Sequence, residues 1–271
     1  MKDQVVWVTG GSAGVGLAVA ERFVALGAKV AICARREGPL REAERRLRGA
    51  GGEVLALVGD VMNDGDCLNL HRQIETQLGP VDVLVNNAGA HVRGPFMDHD
   101  ATAHGDMVSV NLRAPVVLMR LVLPKMLERG AGAVVNVASL AGCVPLPGSV
   151  TYSATKFGLR ALSRALAEEL RGTGVSVSVV SPGPIATDFI LQDLDSVTDL
   201  TLSQPMSTAA EVADDVVACA LDGRLERARP RRGAWLATVG YLAPWAARWL
   251  RPRLARKGAR RRRALLAAAS K

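Results

Sequence analysis

At 271 residues, 49% hydrophobic and 22% charged, the chain holds enough apolar material for one large α/β domain, which excludes wholesale disorder. Four scattered cysteines, Cys33, Cys67, Cys143 and Cys219, form no CxxC pair, which argues against a disulfide framework or zinc site and suits a reducing compartment. The net charge of +8 divides into +14 over residues 224–271 and −6 over the rest, an acidic globule with a basic tail and no basic stripe of the kind that tracks phosphates, so no nucleic-acid partner is expected.

The N-terminal MKDQVVWVTG enters a strand almost at once and leaves no room for a targeting segment, so a cytoplasmic location is expected. Apolar runs then alternate with segments of helical period: QVVWVTG and GLAVAERFVALG, KVAICA and PLREAERRLRGAG, EVLALVG and DCLNLHRQIETQLG, VDVLVNN and a long stretch through Met126. AVVNVAS, TYSATKFGLRALSRALAEELRG and VSVSVVSPG complete the series. Strands so uniformly apolar are buried on both faces, so helices cover each side of a doubly wound, Rossmann-like parallel sheet. Its ligand crevice lies at the carboxyl ends of the strands. The expected division is a dinucleotide-binding and catalytic domain over residues 1–223 and a basic amphipathic extension over 224–271.

Residues 9–16, TGGSAGVG, follow the first strand and open the first helix. Gly10, Gly14 and Gly16 allow close approach of a pyrophosphate to the free amides of a helix N-terminus. At the end of the second strand, where an NAD enzyme places an acid on the ribose 2′-hydroxyl, Ala34 is followed by Arg35 and Arg36. Guanidinium groups grip a 2′-phosphate, so the expected cofactor is NADP(H). Asp60, with Val61 beside it, ends the third strand at the height of an adenine ring; an ordinary turn acid is the alternative. His71, His91, His99 and His104 show no ligand-like arrangement, and the acids around the last two read as a solvated polar face.

Tyr152 and Lys156 stand four apart, on one helical face. An isolated phenol titrates near pH ~10, and a cation a few ångströms away favours its ionised form, bringing proton transfer nearer working pH. Ser139 closes the strand AVVNVAS near the same crevice, Asn111 precedes the apolar helix LRAPVVLMRLVLPKM, and NNAG (Asn86–Gly89) follows the fourth strand.

The order TGxxxGxG, DV, NNAG, Asn, Ser, YxxxK and PG closely resembles the short-chain dehydrogenase/reductase family from residue 4 to about 222. The resemblance implies that Tyr152 is the acid/base, that Ser139 polarises the substrate oxygen, and that Lys156 holds the nicotinamide ribose and lowers the tyrosine pKa. Asn111 would anchor a water linking Lys156 to solvent. The resemblance also assigns nucleotide contacts to Gly10, Ser12, Gly14, Val15, Gly16, Arg35, Arg36, Asp60, Val61, Asn87, Ala88, Gly89, Lys156, Pro182, Gly183, Ile185 and Thr187, and implies at least a homodimer, paired through the helices near Asn111 and Tyr152.

The expected reaction interconverts a ketone and a secondary alcohol. Cys143, Val144, Leu146, Phe189, Ile190 and Leu191, with Phe96 nearby, would make an apolar pocket for a steroid, terpenoid or acyl chain. A 3-oxoacyl thioester reductase is the alternative, and a non-catalytic NADP(H) sensor is a third reading. In the tail, Leu242, Trp245, Trp249 and Leu250 fall near one helical face among many arginines, while Pro244 interrupts an apolar run too short to span a bilayer. Two readings stand: the tail lies on an anionic membrane surface, or it docks on its own domain or another subunit.

Overall fold

The computed structural model describes residues 1–187, 190 and 196–269. Strands β1 (Val5–Thr9), β2 (Lys29–Ala34), β3 (Val54–Val58), β4 (Val83–Asn86), β5 (Gly132–Val137), β6 (Val175–Pro182) and β7 (Glu226–Arg229) form one sheet in the order β3-β2-β1-β4-β5-β6-β7. Every pairing is parallel, and Val8 of β1 lies between Ile32 of β2 and Val85 of β4. The strand order reverses between β1 and β4, so a crevice opens beyond their carboxyl ends.

The helices are α1 (Gly14–Ala25), α2 (Glu37–Gly49), α3 (Asp64–Gln77), α4 (Ala101–Val108), α5 (Ala114–Arg129), α6 (Val150–Glu169), α7 (Asp199–Leu202), α8 (Ala209–Asp222), α9 (Arg231–Leu242) and α10 (Pro244–Ala269). Alternation along β1 divides the core. Val6 and Val8 pack with Phe23 of α1, Leu47 of α2 and Val216 of α8, whereas Val5 and Trp7 pack with Ile74 of α3 and Leu118 of α5. Each fully buried aliphatic or phenyl side chain contributes roughly 1.5–3 kcal/mol. The helical run Ala101–Arg129 is long and apolar enough to cross a bilayer, but Leu118, Met119, Val122 and Met126 spend that apolarity on the core.

The sheet runs past the expected boundary at residue 223, because Glu226–Arg229 pairs with Val179–Pro182. This strand, ERAR, is half-buried throughout and is held at its flanks by charge: Glu226 meets Arg160 and Arg164, and Arg229 meets Asp215. Both tail helices dock on the domain. Tyr241 of α9 packs on Phe157 of α6, ring centroids 5.4 Å apart. On α10, Gly258 sits against the Asp199 backbone, Leu265 packs on the Ile190, Val197 and Leu202 cluster, and Arg262 Nε donates to Asp199 Oδ1 at 3.0 Å. Leu242 (75% exposed) and Trp245 (72% exposed) remain in solvent, as do Trp235 and Trp249.

Candidate active site

A cleft of about 1090 Å³ opens at the carboxyl ends of the strands. Gly10, Ser12, Gly14 and Val15, in the turn from β1 into α1, form one wall. Gly16 lies beneath them, so tight against the Gly10 carbonyl that any Cβ would overlap it. Ala13, the residue before α1, offers no side-chain cap, so the first amides of the helix are left for an anion. Arg35 and Arg36 stand exposed on the rim after Ala34.

Asp60 and Val61 also line the cleft, although one Asp60 oxygen accepts the Met62 amide at 3.0 Å, so this acid also serves its own turn. Asn87, Ala88 and Gly89 form the floor. Thr9 Oγ1 accepts the amides of Asn87 and Ala88, each at 3.0 Å, and Asn87 Nδ2 donates to the Thr9 carbonyl at 2.9 Å. These bonds lock the NNAG turn to the glycine turn. Pro182, Gly183, Ile185 and Thr187 close the far side.

Ser139, Tyr152 and Lys156 line the same cleft. The turn after β5 is pressed onto α6 so closely that a Cβ on Gly142 would fall 2.6 Å from the Lys156 carbonyl oxygen. That approach brings Ser139 close enough to Tyr152 for its hydroxyl to oppose the effect of burial on the phenol. Ser139 Oγ also accepts the Ala141 amide at 3.1 Å, which fixes its rotamer. Lys156 is 5% exposed; its Nζ donates to the Val137 carbonyl at 2.9 Å and lies 5.7 Å from the Tyr152 ring centroid. Burial draws the ammonium pKa down to about 8.

The expectation that Lys156 tunes the phenol needs correction. Burial pushes the Tyr152 pKa up, and the opposing influences are the Ser139 hydrogen bond and the charge of Arg93. The ammonium is committed to the Val137 carbonyl instead. Asn111 lies behind the cleft, fully buried in a π-helical turn, Ser109–Arg113, that interrupts the α4 to α5 helix. Its Oδ1 accepts the Ala90 amide at 2.9 Å, and its Nδ2 donates to the Ala90 carbonyl at 2.8 Å and to Thr155 Oγ1 at 3.2 Å.

Among the described residues, part of the expected apolar wall reaches the cleft. Leu146 and Ile190 line the cleft, joined by Val197. Cys143 is buried in packing, where desolvation raises its thiol pKa, Val144 does not reach the cleft, and Phe96 stacks on His104 away from it. Phe189 and Leu191 lie outside the described residues. Sequence reasoning missed His91, Arg93 and Ser149, which line the cleft beside Tyr152. Their only signal was position, directly after NNAG and directly before the Tyr152 helix. His99 and His104 are structural: His99 Nε2 meets the Arg93 carbonyl at 2.8 Å, and His104 Nδ1 meets Thr151 Oγ1 at 2.9 Å.

A nucleotide-sized cleft with an uncapped helix N-terminus at one end and a phenol beside a serine and a buried lysine at the other is equipped for redox chemistry at a carbon–oxygen bond. Comparisons with known proteins agree. The short chain dehydrogenase family model matches residues 4–195. A short chain dehydrogenase of Pseudocercospora fijiensis is 39% identical over 191 residues, spanning 70% of this chain but only 62% of that protein. Ketoacyl reductase HetN of Nostoc sp. is 36% identical over 221 residues, 80% of this chain and 75% of its own length. Among solved structures, a variant of actinorhodin polyketide ketoreductase with NADPH superposes with a TM-score of 0.75 at 33% identity, over 79% of this chain and 89% of that one. The chain belongs to the short-chain dehydrogenase family and is a nicotinamide-dependent oxidoreductase.

Proposed function

We propose that the chain is an NADPH-dependent carbonyl reductase, equally the reverse alcohol dehydrogenase, acting on a lipophilic ketone or secondary alcohol. The observation that carries this reading is the convergence of Ser139, Tyr152 and Lys156 in the cleft that also holds the glycine turn. The residues present fit the dinucleotide: the free amides of α1 suit its pyrophosphate, and Arg35 and Arg36, with Ala34 where an acid would stand, suit a 2′-phosphate. Bound NADPH would supply the hydride.

The remaining work falls to the chain. Burial keeps the Tyr152 phenol protonated, the form that reduction needs, and its hydroxyl passes the proton to the substrate oxygen as negative charge develops there. The Ser139 hydroxyl donates a second bond to the same oxygen. Lys156 would turn its ammonium to the nicotinamide ribose, and Asn111, by gripping Ala90, would hold the floor beside it. The other nucleotide contacts are Gly10, Ser12, Val15, Asp60, Val61, Asn87, Ala88, Gly89, Pro182, Gly183, Ile185 and Thr187 from the cleft lining.

Leu146, Ile190 and Val197 support an apolar substrate. A 3-oxoacyl thioester is favoured as the second reading by HetN, a ketoacyl reductase, and by Arg93 in the same wall. A panel of steroid, retinoid, aliphatic and acyl-thioester carbonyls, followed by NADPH absorbance, separates the two. Turnover confined to thioesters selects the second reading, and turnover of none refutes both.

Exposed Trp235, Leu242, Trp245 and Trp249 among the arginines of α9 and α10 support peripheral contact with an anionic membrane. Flotation with anionic liposomes should carry the full chain but not a truncation after Pro230, which keeps β7 in the sheet; equal recovery of both refutes the contact. Exposed Val116, Leu127 and Val150 on α5 and α6 support pairing of two chains through those helices, and a monomer by light scattering would refute it.

A further inference from the structure

His91 lies flat on Tyr152, with ring centroids 3.9 Å apart and planes within 15° of parallel. Its Nε2 is 3.0 Å from Ser149 Oγ, and Ser149, 4% exposed, is the residue from which α6 springs. The imidazole is therefore tied to the helix that carries the tyrosine. The chain on either side of His91 is fastened as well. Asn111 binds both backbone groups of Ala90, and the Gly94 amide donates to the Gly148 carbonyl at 3.0 Å. Burial, and after it the charges of Arg93 and Lys156 among the described residues, hold the imidazole pKa down at about 3, so it is neutral at neutral pH.

We propose that His91 is a positioning residue for Tyr152: its stacked ring, anchored through Ser149, fixes the plane of the phenol so that the hydroxyl meets Ser139, and it closes that face of the ring to water. The torsion that swings a tyrosine ring has broad minima, so backbone alone leaves the plane loosely set. A neighbouring ring restricts it. This role rests on Tyr152 being the proton donor.

The test compares His91→Ala, His91→Asn and His91→Phe by kcat, its pH profile, and NADPH binding followed by nucleotide fluorescence. Loss of the stack in the alanine and asparagine variants should lower kcat by about 100-fold, the scale of a misplaced reacting group, with nucleotide affinity unchanged. The apparent pKa governing kcat should shift in both. The phenylalanine variant, which restores a flat ring, should recover most of the turnover and the wild-type pH profile. An asparagine variant as fast as wild type, or a phenylalanine variant as slow as it, overturns the proposal, and this pair decides even if the alanine variant does not fold. Tyr152→Phe, measured alongside, keeps the two claims apart. If it turns over normally, the proton-donor assignment falls; if it is inactive while His91→Asn is fully active, only the positioning role falls.

Discussion

Replacing Asn111 with leucine keeps much of the side-chain volume and removes every hydrogen bond the amide makes. The side chain is 0% exposed, so no bulk water takes its place. Two groups are orphaned, the Ala90 amide and the Ala90 carbonyl, now held at 2.9 and 2.8 Å. Thr155 is spared, because its hydroxyl keeps the Tyr152 carbonyl at 2.8 Å. Leaving a buried polar backbone group unpaired costs about 1–3 kcal/mol; Ala90 is only half-buried, which keeps both groups in the lower part of that range, so the variant should lose roughly 2–4 kcal/mol of stability. For a domain of this size that lowers Tm by about 8 °C. Because Ala90 precedes His91 and follows Gly89 in the cleft floor, kcat should fall as well. Thermal denaturation by circular dichroism, with kcat on the folded variant at a lower temperature, measures both effects. An unchanged Tm would show that Ala90 does not depend on the amide, and the account of the π-helical turn as a clamp on the cleft floor would be wrong.

Two further outcomes concern charge. Arg35→Ala and Arg36→Ala should each raise the KM for NADPH by about 10- to 100-fold, the loss of a charge-assisted bond, while leaving that for NADH nearly unchanged; equal use of both nucleotides by the wild type would refute the 2′-phosphate reading. Lys156 titrates near 8 in the folded chain against 10.5 for an ordinary lysine. Below 8 both states hold the proton; from 8 to 10.5 only the unfolded chain does, so stability should rise with pH by about 1.4 kcal/mol per unit across that window. Urea midpoints of wild type and Lys156→Met, followed over that window, should diverge; parallel curves would contradict the buried ammonium.

The sheet was legible in the sequence because strands buried on both faces leave nearly continuous apolar runs, as in VVWV of β1 and VLALV of β3, although Asn136 interrupts β5 and Ser176, Ser178 and Ser181 interrupt β6. β7 was not, since ERAR is held by Arg160, Arg164 and Asp215, partners that only the fold brings near. The cleft residues of the nucleotide half carried their signal in short-range spacing: glycines at a strand-to-helix turn, and arginines at a strand end. The substrate half lies in loops with no period to assign a face, which is why Cys143 and Val144 were expected in the cleft and His91 and Arg93 were not. Spacing placed Lys156 on the same helical face as Tyr152, but it could not show that the Val137 carbonyl competes for the ammonium. Docking of the tail through Gly258 and Arg262 depends on Asp199, some 60 residues earlier, a pairing that helical amphipathicity does not encode.

The central claim is that the Tyr152 hydroxyl delivers the proton as hydride reaches the carbonyl carbon. Its most direct test is the turnover number of Tyr152→Phe with NADPH and any carbonyl the wild type reduces, together with the nucleotide dissociation constant. The account expects turnover to be nearly abolished while nucleotide binding is retained. Substantial residual turnover, with binding intact, would contradict it.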